Sequence, residues 1–169
     1  MKEKTLSLNQ IPKLIQQLSP NEAKHVWRNR DGNQIFSDGS STGCTDNALV
    51  FSSLARSLGI PTIYVETLQK RWLDSLGKEI PRTIEGHVFC DVILDDKIIP
   101  FDPMYGKTEV KHGYYIEEPR GERIEYDVLG KGSDFSEVYL KIDGKFETTP
   151  TRIQTIEDLR EAITKKYIK

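Results

Sequence analysis

The chain has 169 residues, with 24 Lys and Arg against 26 Asp and Glu, a formal charge of −2 at pH 7, and 37% hydrophobic residues. That length suits one folded domain, and no apolar run approaches the roughly 20 residues of a membrane-spanning helix. An isoelectric point near 6.0 without a basic block argues against nucleic-acid binding. Two cysteines are no disulfide framework, and Met1-Lys2-Glu3-Lys4-Thr5 leads into no apolar signal segment, so a cytoplasmic protein with two free thiols is expected.

Leu8, Ile11, Leu14, Ile15 and Leu18 recur at helical spacing over 8–19. Ser19-Pro20-Asn21-Glu22 reads as a fresh helix start, with Ser19 as N-cap, Pro20 as the first helical residue and Glu22 as the capping-box partner. That second helix carries Val26 and Trp27 and ends near Arg30-Asp31-Gly32. Residues 31–43, rich in Gly, Ser, Asp, Asn and Thr, read as a loop. A long helix then begins at Cys44. Ala48, Phe51, Ser52, Ala55 and Leu58 form its stripe, Gly59 its left-handed stop and Pro61 its barrier.

Thr62 to Leu68 is dense in β-branched and aromatic residues and reads as a strand, whereas 69–83 fits either a helical turn or a loop. A hairpin follows: Gly86 to Leu94, a turn at Asp95-Asp96, and Lys97 to Asp102. Further strands are expected at Tyr114 to Ile116, Arg123 to Leu129 and Val138 to Ile142. An amphipathic helix with a Thr155/Asp158 capping box closes the chain over about 155–167. Early helices, late strands and a closing helix favour an α+β fold with an antiparallel sheet, one domain over 1–169 with its core at about 20–145.

Three observations converge on one site. Cys44 follows Gly39-Ser40-Ser41-Thr42-Gly43 at a helix N-terminus, where unsatisfied N–H groups favour the thiolate, the nucleophilic form of cysteine. A two-residue turn at Asp95-Asp96 makes paired residues sum to 191, which puts His87, Phe89 and Asp102 on one face with His87 and Asp102 as diagonal neighbours. A carboxylate on one ring nitrogen fixes the imidazole tautomer and frees the other nitrogen. Cys90, three residues beyond His87, faces the opposite way and is expected to be inert. With that direction, and no zinc-ligand spacing among His25, His87 and His112, no metal or other cofactor is expected. The loop 103–113 directly follows Asp102 and is positioned to wall the site.

These motifs resemble the transglutaminase-like superfamily, the short-spaced branch of papain-type cysteine enzymes. The stretch Thr42-Gly43-Cys44 through Ala55-Arg56-Ser57-Leu58-Gly59-Ile60-Pro61 resembles that family's nucleophile helix. Gly86-His87-Val88-Phe89-Cys90-Asp91 resembles its histidine strand, and Ile98-Ile99-Pro100-Phe101-Asp102-Pro103 its strand ending in Asp-Pro. His87 follows Cys44 by 43 residues and Asp102 follows His87 by 15. Phe89 and Ile99 stand where many members carry Trp, which bears on substrate preference.

The resemblance implies a papain-like core whose nucleophile helix packs on the antiparallel sheet. It also implies an acyl-transfer mechanism with Cys44 as nucleophile, His87 as proton shuttle and Asp102 as its orienting carboxylate. The Cys44 backbone N–H supplies one oxyanion donor, and an upstream side chain supplies a second, with Gln34, Trp27 and Asn33 as candidates. Gly43 and Phe89 complete the candidate substrate-binding set. The expected substrate is a peptide, protein or small amide. Hydrolysis leads, with a transferase joining glutamine side chains to amines and a non-catalytic binding module as the alternatives.

Overall fold

The computed structural model describes residues 7–105, 107–108 and 113–168; positions 106 and 109–112 of the loop expected to wall the site, His112 among them, lie outside these. A 3₁₀ turn at Leu8–Gln10 leads into α1 (Ile11–Ile15). Two-residue strands β1 (Ser19–Pro20) and β2 (Ser40–Ser41) pair in parallel and bracket a 3₁₀ turn at Lys24–Val26 and helix α2 (Gly32–Asp38). Helix α3 (Cys44–Ser57) follows, then β3 (Thr62–Gln69), the short α4 (Lys70–Asp74), and the hairpin of β4 (Gly86–Leu94) and β5 (Lys97–Asp102). The chain continues through β6 (Lys107–Thr108), β7 (Tyr114–Glu117), β8 (Arg123–Gly132), β9 (Tyr139–Ile142) and β10 (Lys145–Phe146), and ends in α5 (Ile156–Tyr167). The sheet runs β10-β9-β8-β3-β4-β5-β6, with β7 also on β8, and every pairing in it is antiparallel.

Helix α3 begins at Gly43, whose φ of +133° suits a residue without Cβ, and ends in a Schellman arrangement. There Gly59 N–H donates to the Arg56 carbonyl at 2.9 Å and Ile60 N–H to the Ala55 carbonyl at 3.0 Å. Its apolar side carries Ala48, Phe51 and Ala55 onto β3 and β4, and the Phe51 ring stacks on Phe101 at 4.4 Å. Full burial of a side chain such as Phe51 stabilises by about 1.5–3 kcal/mol. The main core lies on this face, with Leu159, Ala162 and Ile163 of α5 joining it. Because alternate strand residues point oppositely, Val65, Phe89 and Val128 form a smaller cluster on the other face, under Tyr114 and Tyr126. The β4–β5 register runs from Cys90↔Phe101 to Leu94↔Lys97, and Asp95 and Asp96 both take positive φ, so paired positions do sum to 191.

Residues 19–39 depart from the expectation. Ser19-Pro20 starts no helix: Ser19 N–H donates to the Gly39 carbonyl at 2.9 Å and Asn21 N–H to the Ser41 carbonyl at 2.8 Å, which commits both residues to strand pairing. Glu22 therefore caps nothing, and only a 3₁₀ turn forms before Trp27. The supposed loop 31–43 contains α2, whose capping box joins Asp31 and Gln34. Gly32 lets α2 approach α3 closely, because a Cβ there would collide with the Leu49 carbonyl and the Ser53 hydroxyl. Among the described residues no helix is long and apolar enough to cross a membrane.

Candidate functional site

Cys44 is the first residue of α3 and is half-buried. The loop that delivers it is held by buried charge. Arg30 Nη2 and Thr42 N–H both donate to Asp46 Oδ2, at 2.8 and 2.9 Å, while Arg30 Nη1 donates to Asp38 Oδ2 at 2.8 Å. Asp46 is fully buried, so loss of Arg30 would strand its charge in the interior. Ser41 Oγ donates to Asn47 Oδ1 at 2.7 Å and accepts from Gly43 N–H at 3.1 Å, tying the approach strand to the first turn of the helix.

His87 and Asp102 come from the adjacent strands β4 and β5, and both are buried. His87 Nε2 lies 3.0 Å from Asp102 Oδ2. The other carboxylate oxygen accepts from Met104 N–H at 2.9 Å and Tyr105 N–H at 3.3 Å, which fixes the carboxylate plane. Burial works to lower the pKa of His87. The hydrogen bond to Asp102, then the nearby Cys44 thiol and the Asp102 charge, outweigh it, and the imidazole is raised to about 9. With Nε2 on Asp102, Nδ1 is the ring nitrogen that the carboxylate does not occupy.

Three aromatic rings enclose the imidazole: Phe89 edge-on at 4.8 Å, Tyr126 at 5.8 Å and Tyr105 at 6.0 Å. Burial pushes the Tyr126 hydroxyl up to about 12, with the charges of Tyr105, Cys44 and Asp102 adding to it, so it stays protonated near neutral pH. Beneath the site, Arg28 Nη2 donates to both oxygens of Glu66 at 2.9 and 2.8 Å, and the Tyr64 hydroxyl donates to Glu66 at 2.7 Å, all fully or almost fully buried.

The remaining candidates separate. Gly43 caps α3 as described. Phe89 shares the His87 face, yet it is fully buried under Tyr114 and Tyr126, so it supports the imidazole from below and faces no solvent. Gln34 is exposed and its Oε1 accepts from Asp31 N–H at 2.9 Å in the cap of α2; Asn33 is exposed as well. Trp27 is half-buried with the Arg28 guanidinium 4.5 Å from its ring centre, and it shares a cavity with Thr42, two residues before Cys44. Cys90 is fully buried against Ser52 Oγ at 3.4 Å, and burial pushes its thiol up to about 12. Among the described residues no group of three or more His, Cys, Asp or Glu side chains is placed to hold a metal ion.

Arg30, Tyr105 and Tyr126 had no local signal in the sequence, since tertiary pairing alone brings them here. Asp46 had a weak one, an acidic residue in the first turn behind the candidate nucleophile.

Compared with known families, residues 7–103 match the family model described as the transglutaminase-like superfamily, more than half of the chain and a span that contains Cys44, His87 and Asp102. No curated protein and no solved structure gives a significant match.

Proposed function

Because the chain belongs to the transglutaminase-like superfamily, we propose that it is a cysteine-dependent acyl-transfer enzyme that hydrolyses a peptide or other amide bond through Cys44, His87 and Asp102. The Cys44 thiolate attacks the carbonyl carbon, and the developing oxyanion accepts from the Cys44 N–H, a first-turn donor with no partner inside its helix. Trp27 is the upstream side chain we favour for the second donor, since it shares a cavity with Thr42 while Gln34 and Asn33 are exposed.

His87 Nδ1 gives its proton to the leaving nitrogen as the C–N bond breaks, and a thioester to Cys44 remains. Water then attacks the thioester, His87 takes the water's proton, and the acid leaves as Cys44 is restored. Asp102 holds the imidazole in the productive tautomer throughout. The contact at 3.0 Å between His87 and Asp102 carries this reading, because it occupies one ring nitrogen with the carboxylate and leaves the other free for a thiol. A cytoplasmic setting, where thiols stay reduced, suits the two free cysteines.

The test is turnover of a fluorogenic peptide-amide library by the wild type and by Cys44→Ala, with and without a primary amine. Turnover lost in Cys44→Ala and free acid as the product support the proposal. An amide with the added amine as the main product points to the transferase. Equal labelling of both chains by an activity-directed thiol reagent leaves a binding module.

A further inference from the structure

A cavity of about 550 Å³ opens beside the nucleophile loop, between the turn that carries Trp27 and the first turn of α5. Ala23, Trp27 and Ile156 give it apolar wall, Thr42 connects it to the catalytic loop, and the carboxylates of Glu22 and Glu157 lie on it. Among the described residues no Lys, Arg or His side chain lines it, and neither Glu22 nor Glu157 forms an ion pair. The positive end of α5 is already answered: Asp158 Oδ2 accepts from Gln154 N–H at 3.0 Å and Thr155 N–H at 2.8 Å. Glu22 and Glu157 thus bring to the cavity two carboxylates with no ion-pair partner among the described residues. Ile156 is a large apolar side chain left 39% exposed there, and Arg28 packed on Trp27 holds that indole in place.

Resting on the acyl-transfer reading above, we propose that this cavity is a substrate subsite for a basic peptide segment, one that seats an apolar stem against Trp27 and Ile156 and a cationic head between Glu22 and Glu157. Lys and Arg have that shape, an aliphatic stem that buries and a charge that stays at the edge. The spacing fits a neighbour of the scissile bond. Thr42 and Cys44 are two residues apart, a span of at most about 7 Å, which one or two residues of extended substrate cover. Selectivity then comes from charge: a basic segment meets two free carboxylates and an acidic one is repelled.

Binding to the Cys44→Ala chain tests the subsite without turnover. The probes are fluorescein-labelled tetrapeptide amides, Leu-Lys-Leu-Lys and its Leu-Glu-Leu-Glu counterpart, read by anisotropy. At low salt the basic peptide binds about tenfold more tightly than the acidic one, and the preference shrinks as salt rises. Glu22→Gln with Glu157→Gln removes most of that ratio. Asp95→Asn with Asp96→Asn leaves it intact, since that turn ends a strand that runs roughly 26 Å from His87.

Equal binding of the two peptides overturns the proposal. So does a preference that survives the glutamate pair, or one that the turn variants erase equally, which would mark a bulk-charge effect. Absence of turnover by the wild type would instead sink the hydrolase reading, whatever the binding ratio.

Discussion

Cys44 and Cys90 both touch α3, one at its first residue and the other near its middle. Cys90 is sealed between Ser52 Oγ at 3.4 Å and the Ala48 carbonyl at 3.6 Å, and burial pushes its thiol up to about 12. Cys44 stands half-buried on the unsatisfied end of the helix, with an imidazole raised to about 9 beside it and the Arg28 guanidinium within electrostatic reach. Two thiols at one helix, Cys44 within α3 and Cys90 packed on it from β4, therefore sit in opposite surroundings: one fills the core, and the other stands half-buried at the helix end. Reactivity follows from the helix end and the neighbouring strand, not from the residue type.

The sharpest way to break that contrast is to exchange the roles by mutation. Cys44→Ala should lower turnover by about 10⁴-fold or more, the scale seen when a nucleophile is removed from a triad, and should leave the fold intact. Cys90→Ala should leave kcat/KM within about threefold and cost roughly 1 kcal/mol of stability from the lost core volume. Parallel kinetic and urea-unfolding measurements on the two variants check this; equal kinetic losses would erase the distinction.

Asp102→Asn comes next. It keeps the shape but favours the wrong imidazole tautomer, and the expected fall in kcat/KM is about 10²–10⁴-fold. The pH profile sharpens the same point. His87 must be protonated to release the leaving nitrogen, so kcat/KM of the wild type should fall above a pH of about 9. In Asp102→Asn that descending limb should move to lower pH, because the largest interaction raising His87 is gone.

Stability carries the same sign. A folded-state pKa above the unfolded value of 6.5 stabilises fully below 6.5, and the contribution fades as pH rises from there through about 9. Urea midpoints measured across pH 6 to about 10 should decline in the wild type more than in His87→Ala.

A smaller effect on chemistry but a large one on folding is expected at Arg30. Arg30→Met leaves Asp46 buried without its cation and should cost about 3–5 kcal/mol by urea unfolding. Arg30→Met combined with Asp46→Leu should recover most of that loss, since an apolar pair of similar volume removes the stranded charge.

The parts that were legible in the sequence share one property: local geometry determines them. A two-residue turn fixes the parity of the β4–β5 hairpin, which is why His87 and Asp102 could be set on one face, and Gly43, Gly59 and Pro61 bound α3 by cap chemistry alone. Residues 19–41 failed for the complementary reason. Ser19-Pro20-Asn21-Glu22 carries a genuine helix-start pattern, but Ser40-Ser41, 21 residues downstream in the pairing, captures Ser19-Pro20 as a strand. The Asp31/Gln34 capping box was visible in principle, yet Gly, Asn and Ser around it masked the helix.

Phe89 shows the limit of parity. The face was right, but β7 and β8 lay a second aromatic layer over it, and only the tertiary pairing of β8 with β3 reveals that layer. The same pairing brings Tyr126 to His87.

The most direct test of the proposed pairing of thiol and imidazole is the rate of iodoacetamide alkylation at Cys44, located by peptide mass, at pH 7 in the wild type and in His87→Ala. The account predicts alkylation at least about tenfold slower in the variant, with Cys90 unmodified in both chains. Equal rates at Cys44 would show that the imidazole does nothing for the sulfur, and would contradict the account at its centre.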